Sequence, residues 1–101
     1  MIHDLKCWPE FFEPLSDGRK RFEIRKEDDR VFCVGDTLRL REWDKVSGYT
    51  GRQVDMDVTF ILGREPWVPT GYVCMSLVPS NAPREVRAVA RNLHAVVRAL
   101  D

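Results

Sequence analysis

The feature that most constrains the fold is a long alternation of side-chain types toward the middle of the chain. Apolar residues occupy every second position there, at Val54, Met56, Val58, Phe60 and Leu62. The residues interleaved with the first of them are polar or charged: Gln53, Asp55, Asp57 and Thr59. A period of two is that of a β-strand with one buried and one solvated face. The sequence therefore predicts a mainly β chain, with Asp55 and Asp57 on the solvated side.

Shorter patterns predict the other elements. Residues 21–25 and 37–43 alternate polar and apolar side chains, whereas residues 71–78 are apolar at most positions, which predicts a last strand buried on both faces. Residues 44–51 and 63–69 contain glycines or prolines and are predicted loops, the first of them a loop or broad hairpin.

A short helix is predicted before the first of these strands. Pro9 suits the first turn, since its missing N–H costs nothing there, and Gly18 suits a left-handed cap. The predicted fold class is α+β, mainly β, with four or five strands in a small barrel or a strongly twisted sheet.

The composition changes near Pro79 and predicts two parts, residues 1–79 and residues 80–101. The second part has neither aromatic residues nor glycine. Its apolar residues recur at helical spacing, which predicts an amphipathic C-terminal helix: Val86, Val89, Ala90, Leu93, Val97 and Leu100. Such a stripe packs against the rest of the domain, or against a second copy in a homodimer.

Charge and cysteine usage exclude several classes of protein. The 101 residues include 16 basic and 16 acidic side chains, so the formal net charge is zero. Unspecific binding to long stretches of phosphate backbone is therefore not expected, although a small basic patch is compatible with this balance. Three widely spaced cysteines, with no paired spacing, argue against a disulfide scaffold or a metal site, and we expect no cofactor. No apolar run approaches the length of a membrane span or a secretory signal, so we expect a cytoplasmic protein without a membrane partner.

The residues best suited to ligand binding or catalysis lie between Gly18 and Arg25, in the pattern Gly-x-Lys-x-x-Glu-x-Arg. Glu23 and Arg25 share one face of the predicted strand, Arg21 can join them, and the turn after Gly18 can bring Lys20 to the same cleft. A carboxylate and a guanidinium side by side can recognise the edge of a nucleobase. By periodicity alone, an exposed ladder of ion pairs is the favoured alternative.

The same residues carry a resemblance to a known family. The pattern resembles the hallmark of the ASCH domain of the PUA-like superfamily, in an uncharacterised branch of small bacterial and phage proteins, over residues 2–78. The supporting segments are His3-x-Leu5-Lys6, Glu10-Phe11-Phe12, Phe22–Lys26, Val34-Gly35-Asp36, Leu40–Asp44, Tyr49–Arg52 and Gly71-Tyr72-Val73. The resemblance implies a PUA-like β-barrel with a cleft that binds RNA or a nucleoside or nucleotide ligand. With this resemblance, a ligand-binding cleft is favoured over an exposed ladder of ion pairs.

Two other functions are alternatives. Related ASCH proteins are similar to amidohydrolases of acetylated cytidine, and in that case Lys20 and Glu23 would be the catalytic residues. This chain departs from that pattern, because it has Glu23 where a threonine is expected and no acidic residue between Tyr72 and Val78. The other alternative is a protein-interaction module that uses the C-terminal helix.

Aromatic side chains complete the predicted site. A base stacks on any aromatic ring with little dependence on which base it is. The candidates are Trp8, Trp43, Trp67 and Tyr72. Of these, Trp43 and Tyr72 are predicted to bind the ligand, and Trp43 shares its strand face with Arg39 and Arg41.

Overall fold

The computed structural model describes residues 1–63 and 65–82, which form one five-stranded sheet and one helix. The elements in chain order are β1 (Ile2–Cys7), α1 (Pro9–Asp17), β2 (Phe22–Lys26), β3 (Thr37–Asp44), β4 (Gly48–Leu62) and β5 (Tyr72–Pro79). The strand order is β1-β3-β4-β5-β2, in which β1 runs parallel to β3 and all other pairs are antiparallel. The predicted mainly β class with an early helix is confirmed.

The sheet curls into a half-barrel and leaves two edges, β1 and β2. Of the predicted small barrel or strongly twisted sheet, the structure thus has a curled, barrel-like sheet, and within the described residues its two edge strands do not pair. Register shifts between Arg41 and Trp43 and between Val58 and Phe60 bend the sheet, as β-bulges do. A side chain joins the edges instead, because the Arg25 guanidinium donates a 2.8 Å hydrogen bond to the Lys6 carbonyl. We call the gap between β1 and β2 the seam.

Helix α1 forms where the sequence predicts it and covers the concave face of the sheet. Its N-terminal boundary is Trp8, in extended conformation, followed by Pro9 in the first turn. Gly18 ends it with a φ of 90°, a left-handed conformation that is costly for residues with a Cβ. Phe12 and Leu15 are the residues that α1 buries.

The core lies between α1 and the concave face of the sheet. The sheet residues pointing into it alternate along each strand, as a half-buried sheet requires. The buried apolar cluster comprises Leu5, Cys7, Phe12, Leu15, Phe32, Leu38, Leu40, Met56, Val58, Val73, Met75 and Leu77.

One strand was missed, and two others differ in part from their prediction. The sequence did not predict β1. β4 begins at Gly48, so residues 44–51, predicted as a loop or broad hairpin, form a hairpin in which Asp44 pairs with Gly48. β5 buries one face only, since Tyr72 and Ser76 are exposed while Val73, Met75 and Leu77 are buried.

The long alternation in β4 also changes phase. The bulge between Val58 and Phe60 brings Ile61 onto the core, where the sequence pattern had favoured Phe60 and Leu62. Asp57, predicted to be solvated, is buried and accepts hydrogen bonds from Thr37 (2.9 Å) and Ser80 (2.6 Å).

The predicted C-terminal helix lies outside the described residues beyond Ala82. The same holds for the predicted homodimer contact and for the protein-interaction module, both of which depend on that helix. Residues 80–82 form a turn and bend after β5, in which the Ser80 N–H donates to the Asp55 carbonyl (3.0 Å).

Candidate functional site: a buried carboxylate at the seam

Strand β2 turns the charged residues Glu23 and Arg25 inward and the apolar residues Phe22 and Ile24 outward. Glu23 is 5% exposed, whereas its neighbours Phe22 and Ile24 are 46% and 52% exposed. A half-buried strand ordinarily shows the reverse, because a buried carboxylate costs free energy unless cations and hydrogen bonds compensate it. This inversion is the clearest mark of a functional site in the described residues.

Glu23 is compensated by two cations. Lys20 Nζ donates to one carboxylate oxygen, and Arg25 Nε donates to the other at 2.8 Å. Each cation also holds a backbone carbonyl: Lys20 Nζ donates to Phe22 O at 2.7 Å, and Arg25 donates to Lys6 O across the seam. Two positive charges around one negative charge leave the cluster net cationic.

The end of α1 places Lys20 in this cluster. After the left-handed turn at Gly18, the Lys20 N–H donates to the Pro14 carbonyl at 2.9 Å. The chain then enters β2 directly, so Lys20 lies beside the first residues of the strand. Its ammonium is 4.8 Å from the centre of the Phe22 ring, a cation–π distance.

A cavity of about 440 Å³ opens over this cluster. Its wall is largely apolar and half-exposed, with Trp8, Phe11, Phe22 and Ile24 each between 46% and 52% exposed. Its lining consists of Lys6, Cys7, Trp8, Phe11, Lys20, Phe22, Glu23, Ile24 and Arg25. An apolar wall with a few convergent polar groups is the usual make-up of a small-molecule site.

The backbone of β2 adds polar groups to the cavity. Arg21 O accepts from Leu77 N at 3.0 Å, so odd-numbered residues of β2 direct their backbone groups toward β5. In a strand the next residues point the other way. The N–H and C=O of Ile24 therefore face the seam.

Cys7 lies at the inner end of the cavity but is chemically quiet. Burial raises the pKa of its thiol to about 11, and the nearby Glu23 carboxylate contributes to the shift. Its Sγ makes a weak 3.6 Å contact with the Trp8 carbonyl. Because the thiolate is the nucleophile and the metal ligand, Cys7 is unsuited to either role at neutral pH.

The structure brings together three of the predicted site residues, Lys20, Glu23 and Arg25. Three others lie outside the cavity lining. The Arg21 guanidinium packs over Gly18, and Tyr72 lies opposite Lys26 toward the other end of β2. Trp43 lies on the outer face of the sheet, where its ring centre is 5.4 Å from that of Trp8.

Sequence reasoning missed Lys6 and Phe11 as parts of the cavity. Phe11 was assigned only to the helix. The position of Lys6 at the cavity follows from β1, and that strand was not predicted. The signal for β1 was the alternation of His3, Leu5 and Cys7, all buried, with exposed residues between them. Histidine and cysteine in two of the three inward positions hid this pattern.

His3, the histidine of the described residues, has a structural partner. His3 Nε2 is 2.8 Å from Asp36 Oδ2, and its ring centre is 4.7 Å from that of Phe32. In residues 1–63 and 65–82, no three side chains of His, Cys, Asp or Glu converge as a metal site would require. The one helix of this region is also too short to cross a membrane.

The fold and the cavity define a class: a mainly β protein in which a curled sheet and one helix hold a buried carboxylate between two cations. The chain belongs to the family described as "Domain of unknown function (DUF3850)", which residues 2–77 match.

A phage protein is among its relatives. The chain is 40% identical over 68 residues to the "Uncharacterized 12.9 kDa protein in GpA 3'region" of Escherichia phage P2. The match covers 66% of this chain and 60% of that relative. The predicted kinship with phage proteins is thus confirmed.

Proposed function

We propose that the cavity binds the base of a nucleoside, a nucleotide or a single-stranded RNA. The observation that carries this proposal is Glu23, a buried carboxylate held between Lys20 and Arg25 beneath a half-exposed aromatic wall. A structural ion pair does not need exposed aromatic residues around it, whereas a base-binding site uses both.

The polar groups match the edge of a base. A guanidinium has five N–H groups, and the two hydrogen bonds of Arg25 described above leave others to donate to a carbonyl or phosphate oxygen. Glu23 can accept from an exocyclic amine, and Ile24 offers backbone groups at the seam. Phe11, Phe22 and Trp8 supply rings for stacking.

We include in this proposal that the family is a branch of the PUA-like superfamily with an ASCH-type site. The support is the pattern from Gly18 to Arg25, which follows a short helix and enters a strand beside a cleft. A zero net charge also fits binding by stacking and hydrogen bonds better than binding by phosphate attraction.

The test is an NMR titration of the full chain with cytidine, acetylated cytidine, uridine and a short single-stranded RNA. We expect shifts centred on Lys20, Glu23 and Arg25, and we expect Lys20→Met to weaken binding about tenfold or more, as loss of a charged hydrogen bond does. Lys26→Met is the matched control, because Lys26 is an exposed lysine at the far end of β2, outside the cavity lining.

Stability is measured on the same samples. Removing one partner of a buried ion pair can unfold a protein, so the double variant Lys20→Met/Glu23→Gln removes the pair together. Absence of shifts with every probe, or equal loss of binding in Lys26→Met, contradicts the proposal.

The contact between Lys20 and Glu23 also supports a second candidate, hydrolysis of an acylated nucleoside. Water would add to the acetyl carbonyl of acetylated cytidine, and the products would be acetate and cytidine. Against this, Lys20 Nζ already donates to both Glu23 and Phe22 O, so it would have to give up these hydrogen bonds to act on a substrate. Release of acetate in the titration, lost in Lys20→Met, would establish the enzyme.

A further inference from the structure

The outer face of the sheet beside the cavity combines cations with aromatic rings. We call it the outer patch, and its members are Lys6, Trp8, Arg41, Trp43 and Tyr49. Lys6 Nζ is 4.5 Å from the centre of a Trp43 ring, and the Arg41 guanidinium carbon is 4.1 Å from the centre of the Tyr49 ring. Sheet register explains this grouping, because Lys6 lies opposite Arg41 and Trp43 lies opposite Tyr49.

The outer patch is continuous with the cavity. Lys6 and Trp8 belong to both. Each of them lines the cavity, and each also contacts the Trp43 ring of the outer patch. A ligand that contacts these two side chains from the cavity would therefore lie beside the outer patch. Trp8 and Tyr49 are each 47% exposed, so their rings have accessible surface.

The two cations of the outer patch contact aromatic rings but have no carboxylate partner in the described part of the chain. Arg39, on the same face of β3, pairs with Asp55 at 3.2 Å, and Arg52 pairs with Glu42 at 2.8 Å. Across residues 1–63 and 65–82, neither Lys6 nor Arg41 makes an ion pair with a carboxylate. Their positive charge is thus available to an anionic ligand.

We propose that the outer patch is a second nucleotide subsite, so that the ligand is a single-stranded oligonucleotide rather than a free nucleoside. This inference rests on the proposed function. One base occupies the cavity, the adjoining phosphate lies near Lys6, and the next base stacks on the outer patch. Cations match phosphates, and aromatic rings and guanidinium planes match bases, which together favour a nucleic acid over an acidic peptide.

The experiment compares two kinds of probe by calorimetry on the full chain at two salt concentrations. The first probes are the 5′-monophosphates of adenosine, cytidine and uridine, and the second are the corresponding RNA homopolymers of about five nucleotides. We expect a homopolymer to bind about tenfold or more tightly than its monophosphate, the gain from one further stacked base.

The variants Arg41→Gln and Tyr49→Leu separate the two subsites. Both should remove most of the advantage of the homopolymer while leaving the affinity for the monophosphate unchanged. Arg41→Gln should also reduce the slope of log homopolymer affinity against log salt by about 0.7, because the phosphate that follows the stacked base would lie beside Arg41, and 0.7 is the value for one phosphate contact on a single strand. Lys26→Gln is the control, because it removes one exposed charge from a strand outside the outer patch.

Four outcomes contradict one proposal or both. Equal affinity for homopolymer and monophosphate, or equal damage by Lys26→Gln and Arg41→Gln, overturns the second subsite and leaves the cavity proposal standing. Failure of every probe to bind overturns both. Homopolymer binding that depends on Arg41 but is unaffected by Lys20→Met overturns the role of the cavity.

Discussion

At the scale of the residue, the site is defined by what Glu23 imposes on its neighbours. A buried carboxylate requires cations, and Lys20 and Arg25 supply them from the two sides. The negative charge also acts on Cys7, whose pKa it helps to raise above the ordinary range of a thiol. Glu23 thus fixes the positions of two neighbouring cations and contributes to the raised pKa of Cys7.

The three thiols should differ in reactivity. We expect iodoacetamide at pH 8 to modify Cys33 first and Cys7 last, because Cys33 is exposed while Cys7 is 2% exposed with a pKa of about 11. At that pH roughly one Cys7 thiol in a thousand is ionised. Peptide mass spectrometry over a time course measures the order, and early modification of Cys7 in folded protein would contradict the burial described here.

At the scale of the element, the sequence predicted the helices and strands whose positions depend on residues close to one another in the chain. Helix α1 was predictable because Pro9 and Gly18 act at its two ends. β2 was placed correctly, but its inward face was not apparent, since alternation alone does not say which face is buried. β1 was missed because His3 replaces an apolar residue by pairing with Asp36, a partner on a distant segment.

The bulge in β4 makes a prediction about neighbouring residues. Ile61→Ala should lower the free energy of unfolding by about 1–3 kcal/mol, because Ile61 packs against the core. Leu62→Ala, which removes the same number of atoms at the next position, should cost less than about half of that. Urea unfolding of both variants measures the difference. A larger loss for Leu62→Ala than for Ile61→Ala would mean that Leu62 faces the core, as the sequence pattern predicted.

At the scale of the whole molecule, the helix and the sheet are tied together by Arg52. Its guanidinium bonds Glu42 on β3 and Glu13 on α1, and it lies 4.8 Å from the Phe12 ring. Hydrogen bonds from Arg52 and Thr50 hold the pKa of Glu42 below its usual range. No sequence pattern indicated this link, since its three charged residues come from separate elements.

Arg52→Gln should therefore destabilise the protein in a pH-dependent way. A depressed carboxylate pKa stabilises the folded state above the unfolded value, about 4.3 for glutamate, and this contribution is lost as the pH falls through the folded value. The deficit in Tm relative to the parent chain should be greatest near neutral pH and should shrink below about pH 4.

The control is Arg19→Gln, which removes an arginine paired with the exposed Asp17 and should leave Tm unchanged. Thermal unfolding followed by circular dichroism measures both variants. A deficit for Arg52→Gln that persists unchanged in acid would assign its role to packing on Phe12 rather than to charge.

The bond from Arg25 to the Lys6 carbonyl has a consequence for how copies of the chain behave in concentrated solution. An open sheet exposes rows of backbone groups on which other strands can add, the first step toward aggregates. Here Arg25 occupies a carbonyl on the β1 edge, and Lys20 occupies a carbonyl on the β2 edge. The side chains proposed to hold the ligand thus also occupy groups on which another strand could add, so a substitution of either one would free an edge group as well as alter the cavity.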